Sequence, residues 1–353
     1  MYNNEAKVEE TVHAEEVLEE IREDISADDD DLREARERRD LVLEAAEDFG
    51  VLRIFRSGSV AHGDVNNPVS DADCGAVLDR RSYTTLGPDS SDEDGPEAIM
   101  DEVRKHVMPL VREVYPDARS RLIKRAILIR FNEPNADGVD PSVDLVVALT
   151  RKDADGIWIP NRDYNDWDAS DPECHTRLLV AEPKALRRHR ARVIRLAKAA
   201  IKGDSTPALI SFNVEALALE HIVEVDGLIY SLQRFFTEAS SSIKAGLTED
   251  PAGVSGKIKL PEGMTRTRAS KRLGFFADKV QEAIDNTEDR DAVETALAEL
   301  YPDQLPDAKR SSKDALAEAL RVGNERGVRS ALAIAPAAAI KPVRSYGDDG
   351  TAA

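Results

Sequence analysis

A chain of 353 residues, 41% apolar and 33% charged, is long enough for two domains and has the balance of a globular protein rather than a disordered or membrane-embedded one. Its 68 acidic side chains against 48 basic ones leave a formal charge of -20, which repels nucleic acid in general and leaves room only for a local basic groove. Two distant cysteines, Cys74 and Cys174, offer no CxxC pair and no zinc-finger spacing and suit a reducing cytoplasm; no apolar run is long enough to span a bilayer, and the opening MYNNEAKVEE does not read as a signal peptide.

In chain order, Glu5 to Ile25 has helical spacing, with Val8, Val12, Ala14, Val17, Leu18 and Ile21 on one side. The acidic run at 28–31 breaks it, and one of those aspartates is expected to cap a second helix over Leu32 to Phe49, stopped by Gly50. Val51 to Arg56 and Cys74 to Leu78 read as strands, Leu86 to Pro96 as a polar loop, and Ala98 to Tyr115 as a helix. Arg121 to Phe131 and Ser142 to Thr150 read as two further strands with a hairpin-type connection between them. Gly156 to Pro172 holds both tryptophans and reads as irregular. From Glu182 the chain turns helical, over about 183–202, 206–225, 228–246, 266–285, 290–300 and 311–323, and it ends in an Ala/Pro-rich stretch that reads as a loose tail. The organisation this predicts is a helical spine at 1–50, an α/β core at 51–175, a helical lobe at 176–330 and a tail at 331–353.

The stretch FRSGSVAHGDVNNPVSDADCGAVLD carries the chemistry. Asp71 and Asp73 stand two apart at the head of a strand and therefore aim the same way. Two carboxylates about 4 Å apart repel by roughly 4 kcal/mol at an effective dielectric of ~20. Protonation of one acid, a basic side chain between them, or a divalent cation would relieve that repulsion. Asp144 opens the apolar run DLVVAL as Asp73 opens CGAVLD, and on a neighbouring strand it would join the cluster. Three carboxylates suit Mg2+ or Mn2+, and a two-ion site would clamp nucleotide phosphates. Gly58 permits close backbone approach to a phosphate and Ser59 adds a hydroxyl. The plainer reading makes Asp71 a turn residue, Asp73 a solvated one and Asp144 incidental.

The ordered set GSVAHGD, SDADCGAVL and VDLVVAL resembles the DNA polymerase β-type nucleotidyltransferases. RVIRLAKAAIK with Lys198 and LISFNVEAL with Ser211 and Phe212 extend the likeness to the cGAS/DncV-like nucleotidyltransferases, or CD-NTases, bacterial enzymes that make cyclic oligonucleotide signals in antiphage (CBASS-type) defence. The segment 158–175 looks like that family's crossing between lobes. The resemblance implies an α+β fold: a polymerase β-like core with a mixed sheet and helices, plus a helical second lobe. It implies catalytic and metal-binding roles for Asp71, Asp73 and Asp144, with two Mg2+ or Mn2+ ions. Gly58, Ser59, Lys198 and Ser211 would hold the triphosphate and Phe212 would stack on a base. The substrates would be NTPs such as ATP or GTP, the setting cytoplasmic, and the partners an operon-encoded or ubiquitin-transfer-like regulator acting on the tail, with no membrane and no general nucleic-acid binding. Transfer to RNA or protein, and an inactive nucleotide-binding module, are the competing readings.

Several other residues stand out. The helix at 183–202 is basic, with Lys198 as its functional candidate and most of its arginines read as structural or surface groups. Asp64 departs from the Thr or Ser of many relatives and is expected to face away from a phosphate or cap the helix. Trp158 and Trp167 are expected to pack at the lobe junction, Cys74 to behave as a small buried hydrophobe, and His62 to be an incidental loop residue.

Overall fold

A computed structural model describes residues 12–88, 95–152, 154–181, 183–306 and 308. The helix expected at 311–323 and the tail at 331–353 lie outside these residues, as do the first residues of the helix expected from Glu5. The chain divides into two compact units, each assembled from separated stretches. One unit takes Ser26–Arg187 and Glu249–Lys257; the other takes the described residues up to Ile25, Arg188–Thr248, and those from Ile258 onward. The first fifty residues, which read as one spine, are thus shared between the two.

The first unit is built on a seven-stranded mixed sheet. Its strands are β1 (Arg53–Ser57), β2 (Asp71–Leu78), β3 (Arg119–Leu122), β4 (Ile127–Arg130), β5 (Ser142–Thr150), β6 (Ile157–Asn161) and β7 (Asp166–Ser170). The order is β1-β2-β5-β4-β3, with β6 added to the end of β5 and β7 paired to β6. Only β2 and β5 run parallel. The helices are α2 (Asp29–Glu47), α3 (Gly58–His62), α4 (Gly95–Val114) and α5 (Pro172–Leu179). Ile99, Met100, Val103, Val107 and Val111 recur at helical spacing on α4 and pack with Val42, Leu43 and Ala46 of α2 against Cys74, Ala76 and Leu78 of β2 and Val143, Leu145 and Val147 of β5. One face of the sheet is thereby sealed. The other carries a smaller cluster of Phe55, Val77, Ala148, Ile157 and Ile159.

The capping aspartate of α2 is Asp28, whose carboxylate accepts from the backbone N–H of Asp30 at 2.7 Å and of Asp31 at 3.4 Å. Arg38, at 1% exposure, ties α2 to the β4–β5 connection. Its guanidinium donates to Glu34 (2.6 Å), Asp140 (2.5 Å) and the carbonyls of Pro141 (2.9 Å) and Glu133 (2.6 Å), and it lies over the Phe131 ring.

Two sequence expectations are corrected here. Arg121 to Phe131 is not one strand but the greater part of a hairpin, β3–β4, turning at 123–126. Gly156 to Pro172 is not irregular: it forms the β6–β7 hairpin, and Trp167 is buried in the sheet core at 4% exposure. The alternation of Ile157 and Ile159 with Trp158 carries β6, and Asn165 takes the left-handed turn conformation (φ 50). Trp158 is half-buried and stacks with the Arg151 guanidinium.

The short stretch Glu249–Lys257 leaves the helical part of the chain to pack against α5 and the β6–β7 hairpin. Asp250 organises it, accepting from the backbone N–H groups of Ala252 (3.0 Å), Val254 (3.0 Å) and Ser255 (2.7 Å) and from His175 of α5 (2.6 Å). Burial alone would raise the Asp250 pKa, but the donors from Ser255, His175 and Ala252 outweigh it and bring the pKa from 3.8 to about 2. A carboxylate held below its unfolded value stabilises the fold above that value and loses the contribution as pH falls toward 2. Asp250→Asn is therefore expected to cost about 2 kcal/mol at pH 6, shrinking to nearly nothing by about pH 2, as read by urea denaturation of both proteins across that range.

The helical unit contains α1 (Val12–Asp24), all but the first turn of α6 (Lys184–Gly203), α7 (Ser211–His221), α8 (Leu228–Ala245), α9 (Arg266–Asp285) and α10 (Arg290–Leu297). Phe235, Phe236 and Phe276 form its aromatic centre between α8 and α9. Glu15 of α1 accepts from the first-turn N–H of Ile229 at 3.0 Å, so its carboxylate occupies the positive end of α8. Arg190 is buried with its guanidinium on the Ile222 carbonyl, a structural arginine on the basic helix. His189 is buried against Ser231. No helix among the described residues is long and apolar enough to cross a membrane.

Candidate active site

β2 and β5 place Asp73 directly beside Asp144, since the two are register partners on parallel strands. Partners in adjacent strands sit about 4.8 Å apart and point to the same side. Asp71, two residues before Asp73 and opposite Ser142, points that way as well. All three acids therefore share the face away from α2 and α4, at the N-terminal ends of the two parallel strands. Asp144 is buried at 5% exposure, while Asp71 and Asp73 are half-buried. The Ser70 hydroxyl donates to Asp71 Oδ1 at 2.8 Å. Cys74, next to Asp73, points to the opposite, sealed face, where burial and the neighbouring carboxylate push its thiol well up.

On the other side of Asp73 is Ser57, its partner on β1. The chain then turns at Gly58 (φ +71) into α3. A Cβ on Gly58 would fall 1.9 Å from Asp73 Oδ2 and 2.7 Å from its Cγ, so the backbone is pressed directly onto the carboxylate. No other residue fits that conformation and that space together. The short helix is held from two sides. Val60 is buried with Ala35, Val69 and Ala72, and His62 Nε2 meets the Thr176 hydroxyl of α5 at 3.0 Å. His62 thus has a structural contact, and Asp64 just after it is almost fully buried, its N–H donating to the Ser59 carbonyl. Gly58→Ala is expected to destabilise the protein by about 1–3 kcal/mol through strain and overpacking, and to turn the Asp73 side chain aside. Chemical denaturation and Mn2+ titration of the variant would read both effects, and an unchanged Mn2+ affinity would break the link between this glycine and Asp73.

Oxygen-only donors from three carboxylates on one face form a set that fits a hard divalent cation, and the Gly58 contact fixes the direction of one of them.

In the helical unit, Lys198 of α6 donates to Glu215 Oε1 at 2.7 Å, with both side chains largely buried. Glu215 lies four residues beyond Ser211 on α7, on the same helix face. Ser211 is exposed at the first position of α7 and Phe212 is half-buried. Asn213 fixes this helix start: its side chain accepts from the Ile210 N–H and donates to Thr248. The Glu215 partnership was not read from the sequence, although the four-residue spacing from Ser211 carries the signal.

No model of a known protein family matches the chain, and no curated protein sequence matches it significantly. Solved structures do match. A CdnC from E. coli MS115-1, in complex with HORMA-deltaN, superposes with a TM-score of 0.61 at 16% identity, over 82% of this chain and 97% of that one. The CD-NTase CdnG of Bradyrhizobium diazoefficiens, in complex with GTP, gives 0.61 at 16%, over 85% and 98%. The Vibrio cholerae cyclic AMP-GMP synthase DncV, with a linear intermediate, gives 0.54 at 11%, over 85% and 89%. The fold is that of the cGAS/DncV-like nucleotidyltransferases. Within that fold the mixed sheet, with its Gly58 turn and the heads of β2 and β5, bears all three acids on one face.

Proposed function

We propose that the protein is a metal-dependent nucleotidyltransferase that joins NTPs into a cyclic di- or trinucleotide. The observation that carries the reading is the in-register pairing of Asp73 with Asp144, with Asp71 on the same face and the Gly58 turn packed against Asp73. Asp71, Asp73 and Asp144 would hold two Mg2+ or Mn2+ ions, which when bound supply charge neutralisation at the triphosphate and polarise the attacking hydroxyl. Gly58 and Ser59 would seat the donor triphosphate. In each transfer the acceptor's ribose oxygen forms a bond to the α-phosphorus. The bond from that phosphorus to the bridging oxygen breaks, pyrophosphate leaves with the electron pair, and the hydroxyl proton passes to the Asp144 carboxylate. A last transfer onto the first nucleotide closes the ring. Most of the acceleration comes from positioning and fixed charge. Lys198 and Ser211 are assigned to the triphosphate and Phe212 to a base; Glu215 holds the lysine side chain in place until phosphate competes for it.

The cellular setting proposed is cytoplasmic antiphage signalling under an operon-encoded regulator, in keeping with a structural neighbour that was solved with HORMA-deltaN. The deciding experiment incubates purified protein with labelled NTPs and Mg2+ or Mn2+, then with phosphatase, and resolves the products by chromatography. A phosphatase-resistant product supports cyclisation. Label transferred to added tRNA or to protein would replace the small-molecule acceptor by a macromolecular one, and NTP binding without turnover in every mixture would leave an inactive module.

A further inference from the structure

The same sheet face that bears the acids turns basic toward its β3 edge. On β4, Ile127 and Ile129 pack into the sealed core, so Leu128 and Arg130 point to the acid face. The register partners of these two residues on β3 are Arg121 and Arg119. Asp144, Leu128 and Arg121 consequently form one cross-strand row, and Arg121 lies two strands, about 10 Å, from Asp144. Arg119 and Arg130 face each other as a like-charged cross-strand pair, an arrangement that destabilises a hairpin unless an anion lies over it. All three arginines are exposed, and with Ser120, Leu128 and Asn132 they line an open pocket of about 220 Å³. Of the cations in the hairpin turn, Lys124 and Arg125 pair with Asp163 and Asp168 of the β6–β7 hairpin. A patch of three guanidiniums is also out of keeping with a chain of net charge -20.

We infer that Arg119, Arg121 and Arg130 form a polyphosphate site that binds the 5′-triphosphate of the acceptor nucleotide while its ribose hydroxyl faces the acids. The inference rests on the proposed nucleotidyl transfer and names the second substrate's binding determinant. The separation of about two strand spacings is one that a nucleotide covers between its 3′ oxygen and its triphosphate. Guanidinium forks match phosphate oxygens in pairs, and three of them balance most of a triphosphate's charge. Such a site selects acceptors that still carry a triphosphate, the group that a linear product must keep for ring closure.

The test compares the wild type with an Arg119→Gln/Arg121→Gln/Arg130→Gln variant, its folding checked by thermal melt, using a labelled donor NTP and either an NTP or the corresponding 5′-hydroxyl nucleoside as acceptor. The wild type is expected to prefer the triphosphorylated acceptor, and the variant to lose about tenfold or more of that preference, the loss falling on KM. An equal preference in both proteins overturns the inference and leaves the transferase reading intact. Should the wild type form no product, inorganic triphosphate is titrated into the Asp71→Asn/Asp73→Asn protein with and without the arginine changes. Binding that vanishes with the arginines supports the site, and binding that persists, or is absent from the start, overturns it. Affinity for RNA that depends on these arginines and grows with chain length would also sink the acceptor-nucleotide assignment.

Discussion

Replacing Asp73 by asparagine is expected to lower product formation by at least about a thousandfold while leaving the protein as stable as the wild type or slightly more so. The two effects have one cause. Asp73 stands beside Asp144 and two residues from Asp71, so removing its charge relieves repulsion in the folded protein. The same change takes away one anionic oxygen from the set that would hold the cations that neutralise a triphosphate. Asparagine keeps the shape, so the contact with Gly58 persists and the turn is undisturbed. Labelled-NTP turnover and a thermal melt, run side by side, check the pair of outcomes. Loss of activity together with a large fall in melting temperature would mean that Asp73 acts as a structural acid. Retained activity would remove it from the chemistry.

Arg38→Met is expected to cost about 3–5 kcal/mol, because it removes one member of a buried ionic network and leaves the others in place. Glu34, Asp140 and the carbonyls of Glu133 and Pro141 all converge on this guanidinium. The melting temperature should fall by about 10 °C or more. Arg38→Lys should recover only part of the loss, since an ammonium cannot reach acceptors spread around a planar fork. The segment held by Arg38 leads directly into β5 and so into Asp144, which makes turnover at temperatures well below the melt a second readout. A variant as stable as the wild type would show that water replaces the guanidinium without cost.

The α+β class and most helices were legible because their signals are local. Asp28 caps α2 from within its own acidic run, and the apolar spacing of α4 repeats from Ile99 to Val111. The β6–β7 hairpin was missed because its polar and turn residues outnumber the few apolar ones that alternate, and Trp167 shows its core role only when the sheet is assembled. The β3–β4 turn was missed because Ile123 and Ala126 make it look like continuous strand. α5 could have been read: Asp171 followed by Pro172 is a cap and first-turn pair, and Asp171 does accept from the Cys174 N–H at 2.8 Å. The acid cluster was readable by spacing for Asp71 and Asp73, but placing Asp144 beside them depended on a parallel pairing across some seventy residues of chain. Arg38 and the three arginines of the β3–β4 hairpin gave no signal of their own. Arg38 sits in EARERRD, which reads as a solvated helix face, and its partner Asp140 is 102 positions away.

Neither unit of this protein is a single stretch of chain, and that has a consequence for its synthesis. The sheet unit lacks the segment Glu249–Lys257, with its Asp250–His175 contact, until the ribosome has made about seventy residues beyond Arg187. At about 5–20 residues per second that is a wait of several seconds, during which β6, β7 and α5 are exposed on one flank. The helical unit waits longer still, because α1 is the first described element and its contact with Thr287 and its Glu20–Arg290 pair need chain made some 270 residues later. Each unit thus closes only when a distant later segment arrives, the sheet unit first and the helical unit after it.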